Sequence, residues 1–168
     1  MLNQEEEKQL IPLLEKLEFP ISLELFRTVM KTFVSVPIDL AILNDKNEIL
    51  LIERTDAEYT GLHIPGTVLL NNESVSDALK RLEEKEIIGL HISEPKSIDI
   101  WTEVARGTGE GENKTRHEIS LLHLSRTVGN NTTSYQFYDM NNLPNTVLSH
   151  HKKIIHKLSE VISNNTTI

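Results

Sequence analysis

Apolar positions recur at helical spacing near the start of the chain, pass into short β-rich runs, and return to helical spacing at the end. Leu10, Leu13, Leu14 and Leu17 predict a helix over residues 3–18, with Glu5, Glu6 and Glu7 suited to the positive end of its dipole. Pro12 falls inside that pattern, so the helix starts near it or kinks there. Leu25, Phe26 and Val29 predict a second helix from Ser22 to Lys31. The run FVSVPIDLAILN (33–44) is rich in β-branched and apolar residues and reads as a strand. A polar NDKNE turn then leads to a returning strand, ILLIER, which makes a hairpin. TDAEYTGLHIPG reads as a loop ending in an extended X-Pro step.

Val75, Ala78, Leu79, Leu82 and Ile87 form the stripe of an amphipathic helix, with Ser74 as N-cap and Asp77 as its capping-box-like partner. Strands follow at residues 97–105 (SIDIWTEVA) and in EISLLHLSRTVG, joined by the charged, glycine-rich RGTGEGENKTRH; YQFYD is a further short strand. A last helix is capped near Ser149 and buries Ile154, Ile155, Leu158 and Val161. The pattern divides the chain into a helical N-terminal extension (1–32), one α+β domain (33–163) and a disordered tail (164–168). The extension carries no constellation of polar groups, so it serves as a cap on the domain or as a homodimer contact.

Composition narrows the functional classes. With 168 residues, 38% apolar and 25% charged, the chain is expected to fold as a globular domain. A formal net charge of −8 argues against a general nucleic-acid binder but leaves room for a phosphate ligand whose charge a metal ion balances. No cysteine is present, which removes disulfides and thiolate metal sites. The acidic N-terminus is unlike a signal peptide and no apolar run approaches a bilayer span, so the expectation is a cytoplasmic protein without membrane contact.

Candidate chemistry concentrates between His63 and Leu90. There a Pro65-Gly66 turn precedes Glu73 and a helix bearing Arg81, Glu83, Glu84 and Glu86. A carboxylate-rich helix behind a glycine turn is a cradle for a divalent metal and an anionic substrate, although a charged helix is more often just a solvated face. Asp39 in mid-strand must be paired or face a cavity, and Arg54 ends the next strand; each is a substrate contact or half of a structural salt bridge. His150 and His151 are adjacent on a helix and diverge, so they do not make a zinc site.

The succession of hairpin, Pro-Gly turn, Glu73, Arg81-bearing helix, two strands and final helix resembles the Nudix hydrolase superfamily. Its box reads G-x5-E-x7-R-E-U-x-E-E-x-G-U, with U aliphatic. Glu73, Arg81 and Glu86 match, whereas Thr67, Leu82 and Lys85 stand where the box has glycine and two glutamates, making a degenerate box. Arg81-Leu82, SVPIDLAIL, NEILLIERT and IDIWTEVARGTGEGE are similar to the GDP-mannose mannosyl hydrolase branch, whose Thr-His step is echoed by Arg116-His117.

The resemblance implies an α/β/α sandwich with a mixed central sheet, and hydrolysis of a nucleoside diphosphate linked to another moiety such as a sugar. It implies Mg²⁺ (or Mn²⁺) held by Glu86 and the Gly66 carbonyl, with Glu83 one turn earlier. Glu86, Glu83, Arg81 and Glu73 would form the catalytic helix, with Asp39, Arg54, Arg116 and His117 at the substrate. The branch's glutamine ligand and catalytic histidine are missing from GNNTTSYQF, so a general base must come from Glu110, Glu112, Glu118 or His117. The alternative is a Nudix fold that has lost catalysis and binds nucleotides or proteins.

Overall fold

The computed structural model describes residues 2–18, 20–30, 32–56, 59–105, 116–129 and 135–164. Its centre is β1 (Pro37–Leu43), in which every residue from Ile38 to Leu43 is buried. Burial on both faces explains why this strand reads as a nearly unbroken apolar run. Along it β1 runs parallel to β7 (Arg116–Arg126) and antiparallel to β2 (Ile49–Leu50) and β5 (Gly66–Val68). β6 (Lys96–Ala105) and β8 (Phe137–Tyr138) extend the sheet in the order β6-β7-β1-β2-β8. The expected mixed sheet is therefore present.

Alternation along β1 divides the interior into two layers. Ile38, Leu40 and Ile42 pack with Ala78, Leu79 and Leu82 of α3 (Val75–Glu86). Ala41 and Leu43 pack with Ile154, Ile155 and Leu158 of α4 (Ser149–Asn164). A helix on each face completes the α/β/α sandwich. Asp39 falls in the α4 series, so its carboxylate lies on the face that α4 only partly covers.

The β1–β2 hairpin forms as expected. Asn44 caps its turn, its side-chain oxygen accepting from the Lys46 and Glu48 amides, while Asn47 takes a left-handed φ of 60°. Three expectations are corrected. The strand expected from residue 33 begins at Pro37, with only Ser35 bridging to Glu118, and Phe33 and Val34 are exposed. ILLIER does not continue as one strand. It breaks at Leu51, whose amide donates to Gln136 O, and β3 (Ile52–Thr55) leaves the central sheet.

The segment read as a loop supplies the partner for β3: β4 (Thr60–His63) pairs with it as a separate two-stranded sheet. The Tyr59 amide donates to the Asp56 carboxylate at 2.8 Å, closing that second hairpin. β4 is then fixed to the chain ahead of α4, with Leu62 N donating to Thr146 O and Leu148 N to Leu62 O. A hydrophobic-pattern reading misses β4 because its four residues, Thr-Gly-Leu-His, place a single aliphatic side chain, Leu62, in the core and so show no apolar alternation.

At the N-terminus, α1 (Gln4–Leu14) begins at Asn3, whose side chain and Glu6 form a reciprocal capping box. The helix runs through Pro12 rather than starting there; a proline two residues from the end forfeits a single helical hydrogen bond. No residue of α1 or α2 (Leu23–Met30) is buried; the α1 stripe expected to be covered faces outward, with Leu13 64% exposed, while Phe26 and Val29 of α2 are half-buried. The tail expected to be disordered lies outside the described residues except for Asn164, which closes α4.

Gly61 has a φ of 155°, and a Cβ there would run into the Thr146 carbonyl oxygen. Gly61→Ala is therefore expected to destabilise the protein by about 1–3 kcal/mol, measured by chemical denaturation, with exchange protection lost first at the Leu62 and Leu148 amides.

Candidate functional site

The loop between β5 and α3 is held by one guanidinium. Arg81 Nε donates to Glu73 Oε1 at 2.7 Å and Arg81 Nη2 to Glu73 Oε2 at 2.8 Å. The remaining donors reach Thr67 Oγ1 at 2.7 Å and the Val68 carbonyl at 3.0 Å. Glu73 also accepts from the Leu70 amide. Five donors in a planar fork suit this task, and lysine could not repeat it. The Arg81 bonds hold the Glu73 carboxyl far below its ordinary value, at about 2, and the Leu70 amide adds to the effect. Thr67, standing where the Nudix box has glycine, uses its hydroxyl as an added Arg81 acceptor.

Gly66 is the point where two carboxylates converge. Its amide donates to Glu86 Oε2 at 3.2 Å, and the place a Cβ would occupy lies 3.0 Å from Asp39 Oδ1. Any larger residue would crowd Asp39. Asp39 accepts from the Ser120 hydroxyl at 2.5 Å. Burial raises the Glu86 carboxyl above the usual range, opposed by the Gly66 amide and by the charges of Arg54 and Arg81. A carboxylate so placed gains from any further positive charge.

These groups open into a cleft of about 710 Å³ between the sheet, the β3–β4 hairpin and the start of α4. Arg54 enters it from β3, bound to Asp56 at 2.5 Å and lying 4.8 Å above the Tyr59 ring. His63 closes the wall nearby. Burial, then the Arg54 charge, lowers its pKa to about 4, so the imidazole is neutral at neutral pH. Tyr135 joins from the other side, its hydroxyl donating to the carbonyls of Glu86 and Ile88 and so tying down the end of α3.

The structure brings together Asp39, Arg54, Gly66 and Glu86 at this cleft, with Lys85 beside them. Glu73 and Arg81 stand behind it as a clamp. Glu83 is half-buried on α3 and does not line the cleft. His117 is exposed on β7 and, by strand alternation, faces away from Glu118 and Ser120, which do line it. The expectation that His117 meets substrate is thus corrected by one residue of register. Glu110, Glu112 and the Arg116 side chain lie outside the described residues.

Tyr59, His63, Trp101, Ser120 and Tyr135 line the cleft without having been singled out. Only Tyr59 and His63 carried a signal, as ring residues in a polar loop before the Pro-Gly turn. Among the described residues, no group of three or more His, Asp or Glu side chains is placed to hold a metal ion.

No protein-family model and no curated protein matches the chain. Solved structures do. A MutT Nudix hydrolase from Burkholderia pseudomallei superposes with a TM-score of 0.58 at 19% identity, covering 75% of this chain and 98% of its own. The chain has the Nudix fold. A Nudix hydrolase from Nitrosomonas europaea matches with a TM-score of 0.57 at 14% identity over 79% of this chain and 90% of its own. A MutT/Nudix family protein from Enterococcus faecalis, at 16% identity and a TM-score of 0.57, covers 98% of this chain and 76% of its own.

Two measurements test the clamp. Arg81→Ala should cost about 2–3 kcal/mol, the loss of charge-assisted hydrogen bonds at a part-buried site, read by denaturant unfolding. Because the Glu73 pKa is depressed from 4.5 to about 2, its stabilisation is complete above pH 4.5 and is lost as the pH falls toward 2. Glu73→Gln should be less stable at neutral pH and should flatten that part of the acid limb in a stability–pH profile.

Proposed function

We propose that this Nudix-fold protein is a metal-dependent hydrolase of a nucleoside diphosphate linked to a second moiety, such as a sugar. The observation that carries the reading is the convergence of half-buried Glu86 and Gly66 and buried Asp39 with Arg54 at one cleft. The cleft volume suits a nucleotide-sized ligand. Arg54 offers a planar donor set to diphosphate oxygens, which would compete with Asp56 for it. Lys85 adds a second positive charge at the rim.

The donor set fits a Mg²⁺ ion shared with substrate, not one caged by protein alone. Glu86 would hold it with the Gly66 carbonyl, and water and substrate phosphates would complete a shell that Mg²⁺ accepts. When bound, the ion supplies charge stabilisation for the departing diphosphate. The chain's own residues do the rest. Arg54 orients the diphosphate and Asp39, fixed by Ser120, faces the bound ligand. Of the candidate bases, Glu118 is the one described residue that lines the cleft, and in this reading it has the role of taking the proton from the attacking water as the bond to the second moiety breaks.

A second reading, a nucleotide-binding or protein-interaction module without turnover, draws on one observation. Leu82, at a glutamate position of the box, is 1% exposed inside the α3 core, so this degenerate box offers fewer ligands than a complete one.

The test is a screen of nucleotide sugars, dinucleoside polyphosphates and ADP-ribose with Mg²⁺ or Mn²⁺, reading phosphate or sugar release. Turnover is expected to fall by about 100-fold or more in Glu86→Gln, with the melting temperature preserved. Equal activity in mutant and wild type would remove Glu86 from the reaction. Absence of turnover, with a nucleotide that raises the melting temperature, selects the binding module.

A further inference from the structure

Four rings follow one another along the wall of the cleft beyond Arg54. Tyr59 and His150 have centroids 5.1 Å apart, His150 and His151 4.3 Å, and His63 and His151 5.5 Å. They come from two separate elements. Tyr59 precedes β4 and His63 ends it, whereas His150 and His151 occupy the first turn of α4. The backbone exchange of Leu62 with Thr146 and Leu148 brings the two together. All four line the cleft; His63 and His151 are buried, while Tyr59 and His150 are half-buried. Successive rings are tilted by 53°, 48° and 65°, so they make a stepped aromatic wall in which each ring offers its own face, with the two half-buried rings at the accessible end.

A metal is the obvious alternative for three histidines. Among the described residues, however, no three His, Asp or Glu side chains are placed to share an ion. Charge also bears on the question. His63 stays neutral at neutral pH, so it offers the wall a ring and imidazole hydrogen-bonding atoms rather than a cation. The cations, Arg54 and Lys85, lie with the carboxylates near Gly66. Arg54 spans the two regions, because its guanidinium sits over Tyr59 while its charge acts on both His63 and Glu86. The cleft thus has a charged region and a ring-bearing region joined at one arginine.

We propose that the Tyr59–His150 edge is a stacking subsite for a flat heteroaromatic group, the nucleobase of the ligand whose diphosphate lies at Arg54. The subsite rests on the nucleoside diphosphate reading above and deepens it by assigning the two halves of that ligand to two regions of one cleft. Stacking on such rings tolerates different bases, since every base offers a π face. Recognition here is of a planar ring joined to a diphosphate, with the identity of the base left to edge contacts.

The experiment compares ADP and GDP with inorganic pyrophosphate and with adenosine and guanosine, by calorimetry on the full chain. Wild type should bind the nucleoside diphosphates more tightly than pyrophosphate. Tyr59→Ala and His150→Ala should each shrink that ratio by about 5- to 150-fold, the range set by loss of one stacked base. Tyr59→Phe, which keeps the ring, should retain it. Melting curves on each variant establish that it is folded, and His150→Phe, which restores a ring, should recover the ratio lost in His150→Ala.

An unchanged ratio in both alanine variants overturns the subsite. If wild type binds pyrophosphate but gains nothing from an attached nucleoside, the subsite also falls, while the diphosphate region stands. If pyrophosphate does not bind, the functional reading fails, and adenosine and guanosine still decide the ring wall. Nucleoside binding that Tyr59→Ala and His150→Ala weaken would uphold it, and no nucleoside binding would end it.

Discussion

The chelation of Arg81 by Glu73 holds the rest of the site in place. One side chain joins the middle of α3 to the loop that leads into it, and through Thr67 and Val68 reaches β5 itself. β5 carries Gly66, and Gly66 is where Glu86 and Asp39 converge. The clamp therefore fixes the distance between the two ends of one loop, and so the register of a helix carboxylate against a strand carboxylate. Neither Glu73 nor Arg81 needs to touch a ligand for this to matter. A part-buried bidentate pair is stiff in a way that an exposed pair is not, because few other partners compete for its donors.

Much of the fold could be read from residue patterns because the two cores sit on opposite faces of one strand. β1 alternates between them, α3 and α4 each present a clear stripe, and the Asn44 turn has its own side-chain capping. What escaped was held together by backbone rather than by pattern. β4 is four residues long and mostly polar, so its pairing with β3 and its backbone bonds to Thr146 and Leu148 leave no apolar alternation to read. The apolar stripe of α1 misled in the opposite direction. It is well formed, yet Leu13 and Ile11 remain exposed.

The site was legible where a residue's cost pointed to its role. Asp39 in the middle of a buried strand demanded a partner or a cavity, and it has both, in Ser120 and the cleft. Arg54, Gly66 and Glu86 were reachable through the box and its flanks. His117 was not, since a motif echo carries no information about which face of a strand a residue takes, and one step of register moves a side chain to the other side of the sheet. The histidines of α4 were weighed as metal ligands and set aside. Their relation to Tyr59 and His63 depends on a tertiary contact between β4 and α4 that spacing cannot supply.

Leu82 carries a consequence for how this chain could ever change. It stands at a glutamate position of the Nudix box, but it is built into the core beside Ile38, Leu40 and Ile42. A glutamate at this position would leave a carboxylate without a counter-charge among aliphatic side chains, at a cost of several kcal/mol. The α3 face of the sheet would first have to be repacked to accept it. Whatever chemistry this protein performs, residue 82 serves it as part of the apolar seam that holds α3 to the sheet.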